Sequence, residues 1–237
     1  MDKTHLLFDF FGTLVHYVPS PALEAYRRTY DVFVEAGYSG DYAGFVSLWS
    51  GVYAELETDA RRTHQEFTMH TQAAVVTERG LGRDAERDTA ALVERLFRTY
   101  LEDWNQGVAH IETVPGMIER LADRYTLGIV SNTHDTELVP AHLKRMAVFQ
   151  HMDDIVTSAE LGVRKPAAAI FEQALERLGV QASACVYVGD TFEADYQGAT
   201  NAGLSCLLID PERKSPVPEL HRIDSIEQVP ERILALG

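Results

Sequence analysis

The feature that most limits how this chain can fold is a change of rhythm. One short apolar run, His5 to Phe8, ends at Asp9. A long stretch without any strand pattern follows, about residues 16–111, and from Pro115 onward apolar runs alternate with helical ones to the C-terminus. Strands that alternate with helices imply a parallel sheet with right-handed crossovers. The lone first strand belongs with that set. The expected fold is therefore α/β: a Rossmann-like parallel-sheet core from residues 1–15 and 112–237, interrupted after its first strand by a helical insertion, residues 16–111.

The insertion reads as four helices. Ser20-Pro21 is an N-cap followed by proline at the first helical position, and Gly37 closes that helix. Asp41 caps the second, whose Phe45, Leu48, Trp49, Val52, Tyr53 and Leu56 recur at helical spacing. The third covers roughly Glu66 to Arg79. Asp84 caps the fourth, with Val93, Leu96, Phe97, Tyr100, Leu101 and Trp104 on one stripe. In the alternating part, Pro115-Gly116 opens a helix and the strand Leu127 to Val130 ends at Ser131-Asn132. A helix from about Asp135 follows, then the strand Asp154 to Thr157 and a helix from Pro166 to Leu178 closed by Gly179. Cys185 to Val188 is a strand, followed by a helix to Ala202 with Gly203 as its C-cap. Leu204 to Ile209 is another strand, Pro211 to Pro218 a surface connection, and Val229 to Leu236 a last helix.

The chain has 237 residues, enough for a sizeable core with an inserted domain. Asp and Glu outnumber Lys and Arg by 36 to 21, for a formal charge of -15. Such a surface repels phosphate backbones and anionic membranes, which argues against nucleic acid or membrane partners. An anionic substrate would then need local positive groups or a metal. No export-type segment or run long enough to span a membrane is present, so a cytoplasmic protein, monomer or homodimer, is expected. Cys185 and Cys206 sit in apolar runs and read as reduced core thiols.

In a parallel α/β sheet, ligands bind beyond the carboxyl ends of the strands. The residues to examine are thus Asp9, Ser131-Asn132, Lys165, and Asp190 with Asp195. Singly they read as helix caps, a turn and a solvated lysine. Together, at consecutive strand ends, they are hard to explain as caps.

These segments resemble the four motifs of the haloacid dehalogenase superfamily. Leu7-Phe8-Asp9-Phe10-Phe11-Gly12-Thr13-Leu14 is similar to motif I, and Ile129-Val130-Ser131-Asn132 to motif II. Arg164-Lys165-Pro166 resembles motif III, and Val188-Gly189-Asp190-Thr191-Phe192-Glu193-Ala194-Asp195 motif IV. The helical insertion falls where that family inserts a cap domain. The resemblance implies that Asp9 is the nucleophile of a covalent aspartyl intermediate. It implies that Ser131 hydrogen-bonds the transferring group and Lys165 neutralises charge beside Asp9. Phe11, Gly12, Thr13 and Asn132 would border the substrate, a small anionic molecule. Mg²⁺ would be held by Asp9, the Phe11 carbonyl and Asp190, with Asp195 in or just outside its coordination shell, an all-oxygen set that suits this ion.

One departure matters. The family's phosphatases carry a second Asp two residues after the nucleophile to protonate the leaving oxygen, a service typically worth about 10²–10⁴-fold. Here that position is Phe11. Its dehalogenases also lack the acid, since halide needs no proton, but they lack the motif IV metal arrangement too. Three readings follow. The first is a Mg²⁺-dependent phosphatase-type hydrolase using a good leaving group, favoured because paired carboxylates need a cation. The others are a metal-independent dehalogenase-type hydrolase and a binding module that lost turnover. His16, Tyr17 and His134 lie close enough in sequence to motifs I and II to be weighed as substitute proton donors.

Overall fold

The computed structural model describes residues 3–18, 26–82 and 88–236. The elements in chain order are β1 (His5–Phe8), β2 (Val15–Tyr17), α1 (Arg27–Glu35), α2 (Tyr42–Thr63), α3 (Met69–Leu81) and α4 (Thr89–Trp104). Then come β3 (Val108–His110), α5 (Val114–Ala122), β4 (Thr126–Ser131), α6 (Leu138–Arg145), β5 (Asp154–Thr157), α7 (Ser158–Leu161) and α8 (Ala168–Leu178). The chain ends with β6 (Cys185–Gly189), a π-helical turn (Phe192–Gln197), α9 (Gly198–Asn201), β7 (Ser205–Ile209), β8 (Arg222–Ile223) and α10 (Val229–Leu234).

Two compact units emerge, one from residues 1–16 and 110–237 and the other from residues 17–109. The first is an α/β unit whose six-stranded sheet runs β5-β4-β1-β6-β7-β8, all pairs parallel. β1 lies between β4 and β6 and is covered on both faces, which is why Leu6, Leu7 and Phe8 form an unbroken apolar run and are fully buried. The chain moves from β1 out to β4 and β5, then returns to the opposite flank with β6. That reversal opens a crevice at the carboxyl ends of β4, β1 and β6. β2 and β3 form a separate two-stranded sheet.

The second unit is all-helical between its short strand segments. Phe33, Phe45, Trp49, Ala73, Val76 and Leu96 are buried in its core. The Asp41 carboxylate accepts from Gly44 N at 2.8 Å, capping α2 as expected, an interaction typically worth about 1 kcal/mol. Gly37, with φ +102°, follows α1. Ser20-Pro21 and Asp84 lie outside the described residues; α4 begins at Thr89, with Asp88 accepting from Ala91 N. Asp103, buried, is balanced by Arg28 Nε at 2.7 Å and Thr29 Oγ1 at 3.1 Å.

Five features were not visible in the sequence pattern: β2 and β3, which place strand at both ends of the stretch 16–111 expected to hold none, α7, the two-residue β8, and the π-helical turn that replaces the first half of the helix expected after β6. Among the described residues no helix is long and apolar enough to cross a membrane.

Candidate active site

Asp9 sits one residue beyond β1, only 6% exposed, with its N–H donating to Val188 O of β6 at 2.8 Å. Its two carboxylate oxygens differ. Oδ1 accepts from Lys165 Nζ at 2.7 Å and Ser131 Oγ at 3.0 Å. Oδ2 accepts a longer 3.4 Å bond from Thr13 Oγ1. Behind Asp9 the chain turns sharply: Leu14 N donates to Phe10 O at 2.9 Å, and Gly12 N to Val15 O at 2.9 Å. Gly12 takes φ +88°, and a Cβ there would land inside the Asp190 carboxylate. Only glycine allows both the turn and this approach.

Lys165 lies between two carboxylates. Its ammonium donates to Asp9 Oδ1 at 2.7 Å, Asp195 Oδ1 at 2.6 Å and Tyr187 Oη at 2.8 Å, and the side chain is almost fully buried. Burial alone would pull its pKa down, but the Asp195 and Asp9 charges outweigh that and raise it, so the ammonium is kept. Burial pushes Asp9 up, against the downward pull of Lys165. Losing one partner of such a buried set typically costs about 3–5 kcal/mol, because a charge is left uncompensated. The Lys165 backbone is fixed as well: its N–H donates to Asn132 Oδ1 at 2.8 Å and its carbonyl accepts from Asn132 Nδ2 at 3.2 Å. Asn132, expected to border the substrate, thus engages both ends of its amide with the Lys165 loop.

Asp195 and Asp190 have different surroundings despite being five residues apart. Asp195 is buried, 1% exposed. Its Oδ1 accepts from Lys165 Nζ and lies 3.1 Å from Tyr187 Oη; its Oδ2 accepts from Thr191 N at 2.8 Å and Asp190 N at 3.1 Å. The π-helical turn aims it inward, bringing Asp195 N and Tyr196 N to Thr191 O at 2.9 and 3.3 Å. Asp190 stays exposed, with one oxygen 3.3 Å from Thr191 Oγ1. Although the residue as a whole is exposed, its carboxyl is tucked against Gly12; burial there, then the charges of Asp9 and Asp195, push its pKa up to about 7. Oxygens of Asp9, Asp190 and Asp195 lie within 4.8 Å of one another.

The sequence profile of the haloacid dehalogenase-like hydrolases matches residues 3–203. The chain belongs to that family. Among similar proteins, a ribulose-1,5-bisphosphate 5-phosphatase of Halopiger xanaduensis is 30% identical over 222 residues, covering 91% of this chain and 88% of the relative. A glyceraldehyde 3-phosphate phosphatase of Methanopyrus kandleri is 26% identical over 227 residues, covering 90% of each. The crystal structure of a 2-haloacid dehalogenase from Pseudomonas syringae superposes with a TM-score of 0.77 at 25% identity over 100% of both chains.

Against the haloacid dehalogenase-like pattern, Phe11 is the telling difference. Its half-buried ring stands edge-on to Phe10, centroids 5.0 Å apart, and to His142 of α6 at 6.3 Å. A phenyl ring carries no proton to give. His142 is buried, with Nδ1 3.0 Å from Nε2 of His110. Burial, then His110 and Arg145, lower its pKa to about 4, which keeps it neutral near pH 7. Of the residues weighed as substitute acids, His16 is exposed, and Tyr17 belongs to the helical unit, its ring stacked on Trp104 at 4.4 Å.

The three acids fit a hard divalent cation. They supply oxygen ligands only, the three carboxylates have one ammonium among them, and the missing Gly12 side chain makes room for Asp190. Asp9 and Asp190 are the donors such an ion would use. Asp195, with both oxygens already accepting from the protein, is placed to support them.

Sequence reasoning found Asp9, Ser131, Lys165, Asp190 and Asp195, which the fold brings together. It missed Tyr187 and His142. Tyr187 lies inside the apolar run Cys185 to Val188 and reads as core; His142 lies mid-helix with no motif around it.

Proposed function

We propose that this enzyme is a phosphatase-type hydrolase that moves a phosphoryl group from a small anionic metabolite to Asp9 and then to water. The observation that carries the reading is Asp190: an exposed carboxylate held against Asp9, where Lys165 is already shared between Asp9 and Asp195. Displacement of halide from carbon gives no use to a second open carboxylate, whereas a phosphoryl group with a bound cation does.

In the first step the Asp9 carboxylate attacks phosphorus, the bond from phosphorus to the leaving oxygen breaks, and an aspartyl phosphate forms. Lys165 and Ser131 hold Oδ1, which leaves the lightly engaged Oδ2 to attack. The turn through Gly12 and Thr13 borders the phosphoryl group, with Ser131 beside it. Mg²⁺ bound by Asp9, Asp190 and the Phe11 carbonyl would neutralise charge on the transferring group. In the second step water attacks phosphorus, releasing phosphate and restoring the carboxylate. Asn132 and Asp195 position Lys165. The helical unit, residues 17–109, serves as a cap that selects the substrate, and the enzyme works in the cytoplasm.

Because Phe11 cannot donate a proton, leaving groups that depart unprotonated, acyl and aryl phosphates, are the best substrates. The relatives named for ribulose 1,5-bisphosphate and glyceraldehyde 3-phosphate put sugar phosphates on the same panel. A second reading, dehalogenase-type hydrolysis through a carbon ester on Asp9, is favoured by Phe11 and by the dehalogenase superposition. One screen separates them: phosphate and halide release, each with Mg²⁺ and with chelator. Mg²⁺-dependent phosphate release is expected. Chelator-insensitive halide release would install the second reading, and silence in both would leave a binding module.

A further inference from the structure

We propose that Tyr187 is a positioning residue of this site: its hydroxyl takes the third ammonium proton of Lys165 and thereby fixes the ammonium between Asp9 and Asp195. An ammonium has three N–H groups, and each has one acceptor here, at 2.7 Å on Asp9, 2.6 Å on Asp195 and 2.8 Å on Tyr187. The Tyr187 hydroxyl has one proton, with Val130 O at 2.8 Å and Asp195 Oδ1 at 3.1 Å as its acceptors, which leaves a lone pair for Lys165.

The placement follows from sheet order. Tyr187 on β6 pairs with Leu7 on β1, and Leu7 pairs with Gly128 on β4, two residues before Val130. The fully buried side chain crosses the β1 strand to reach the end of β4. One hydroxyl thus links β6 directly to the end of β4 and, through Lys165, to Asp9. Phe171 of α8 closes the ring from the side, edge-on at 5.2 Å and 82°. Burial, then Asp195 and Asp9, raise the phenol pKa, so the group stays a neutral hydroxyl beside two anions. With its protons committed, Lys165 has none left for the substrate in this arrangement and acts by holding Asp9 Oδ1.

The role rests on the phosphatase reading, but its test does not depend on turnover alone. Tyr187→Phe keeps the ring and leaves one buried ammonium N–H of Lys165 without its acceptor. On a phosphate ester that the parent cleaves, kcat should fall about 10- to 100-fold with KM little changed, since the loss is one of aim. In the same variant, the side-chain ¹⁵N and proton resonances of Lys165 should shift and its N–H exchange should quicken. Phe171→Leu, which disturbs the same core without touching a polar atom, should lower thermal stability and leave both kcat and the Lys165 resonances near parent values. If Tyr187→Phe does not fold, difluorotyrosine at 187, a weaker acceptor in nearly the same shape, should shift the Lys165 signals in the same direction. An unchanged Lys165 signal in either Tyr187 variant overturns the proposal, as does a kcat loss that simply tracks stability in both Tyr187→Phe and Phe171→Leu. If the parent cleaves no phosphate ester, the phosphatase reading fails while the resonances still decide Tyr187.

Discussion

The floor and the rim of this site are built on different terms. On the floor, Lys165, Asp195, Tyr187 and Asn132 bond to one another and to backbone, and Asp9, Asp195 and Tyr187, the acceptors of the ammonium, are buried with it. On the rim, Asp190 is exposed and raised to about 7, Oδ2 of Asp9 has one long contact, and Gly12 carries no side chain. The floor is complete within the protein; on the proposed reading, substrate and cation complete the rim. Substitutions below should therefore cost stability together with activity, and substitutions above should cost activity alone.

The largest effect is expected at Asp9, where the two halves meet. Asp9→Asn keeps the shape but removes the nucleophile, so turnover should drop by about 10⁴-fold or more with the fold retained. Comparable rates in parent and variant would remove the covalent route altogether. Asp195→Asn, on the floor, should lower unfolding free energy by about 3–5 kcal/mol and also depress kcat, because Lys165 loses half its charge balance. A denaturant titration showing parental stability would end the distinction drawn here.

On the rim, Phe11→Asp should raise alkyl phosphate hydrolysis and flatten the dependence on leaving-group acidity, by no more than the roughly 10²–10⁴-fold of general acid catalysis. A carboxylate set where a ring was packed against Phe10 and His142 would gain less. Parent rates that already match for alkyl and aryl phosphates would mean another group supplies the proton.

The smallest effect concerns pH. The Asp190 carboxyl is raised, so it is protonated below about 7 and ionised above it. A proton then competes with the cation on the acid side. Mg²⁺ affinity, read by calorimetry, should weaken by up to about tenfold per pH unit below 7 and level off above. Asp190→Asn should abolish that slope; a slope retained in the variant would place the titration elsewhere.

Much of this was legible in the sequence, for a physical reason. Each apolar run of the central sheet ends abruptly in a polar residue of distinct chemistry, and a parallel sheet gathers its strand ends on one edge. Asp9, Ser131, Lys165 and Asp190 could therefore be placed before any coordinates. The division of labour between Asp190 and Asp195 could not, because it depends on a π-helical turn that points one inward and leaves the other open. Tyr187 looked like any strand residue; only the register of β6, β1 and β4 brings its hydroxyl to Lys165 and Val130. Asn132 was found as a strand-end residue, but its bond to the Lys165 backbone spans 33 positions of the chain.

On the proposed mechanism Asp9 carries the phosphoryl group during turnover. The direct measurement is to quench the enzyme with acid while it cleaves a phosphate ester, digest it, and locate added phosphoryl mass by peptide sequencing. An acyl phosphate on Asp9, stable in acid and labile in base, is expected in the parent and not in Asp9→Asn. Steady phosphate release with no phosphoryl group on Asp9, or with the group on another residue, would contradict it.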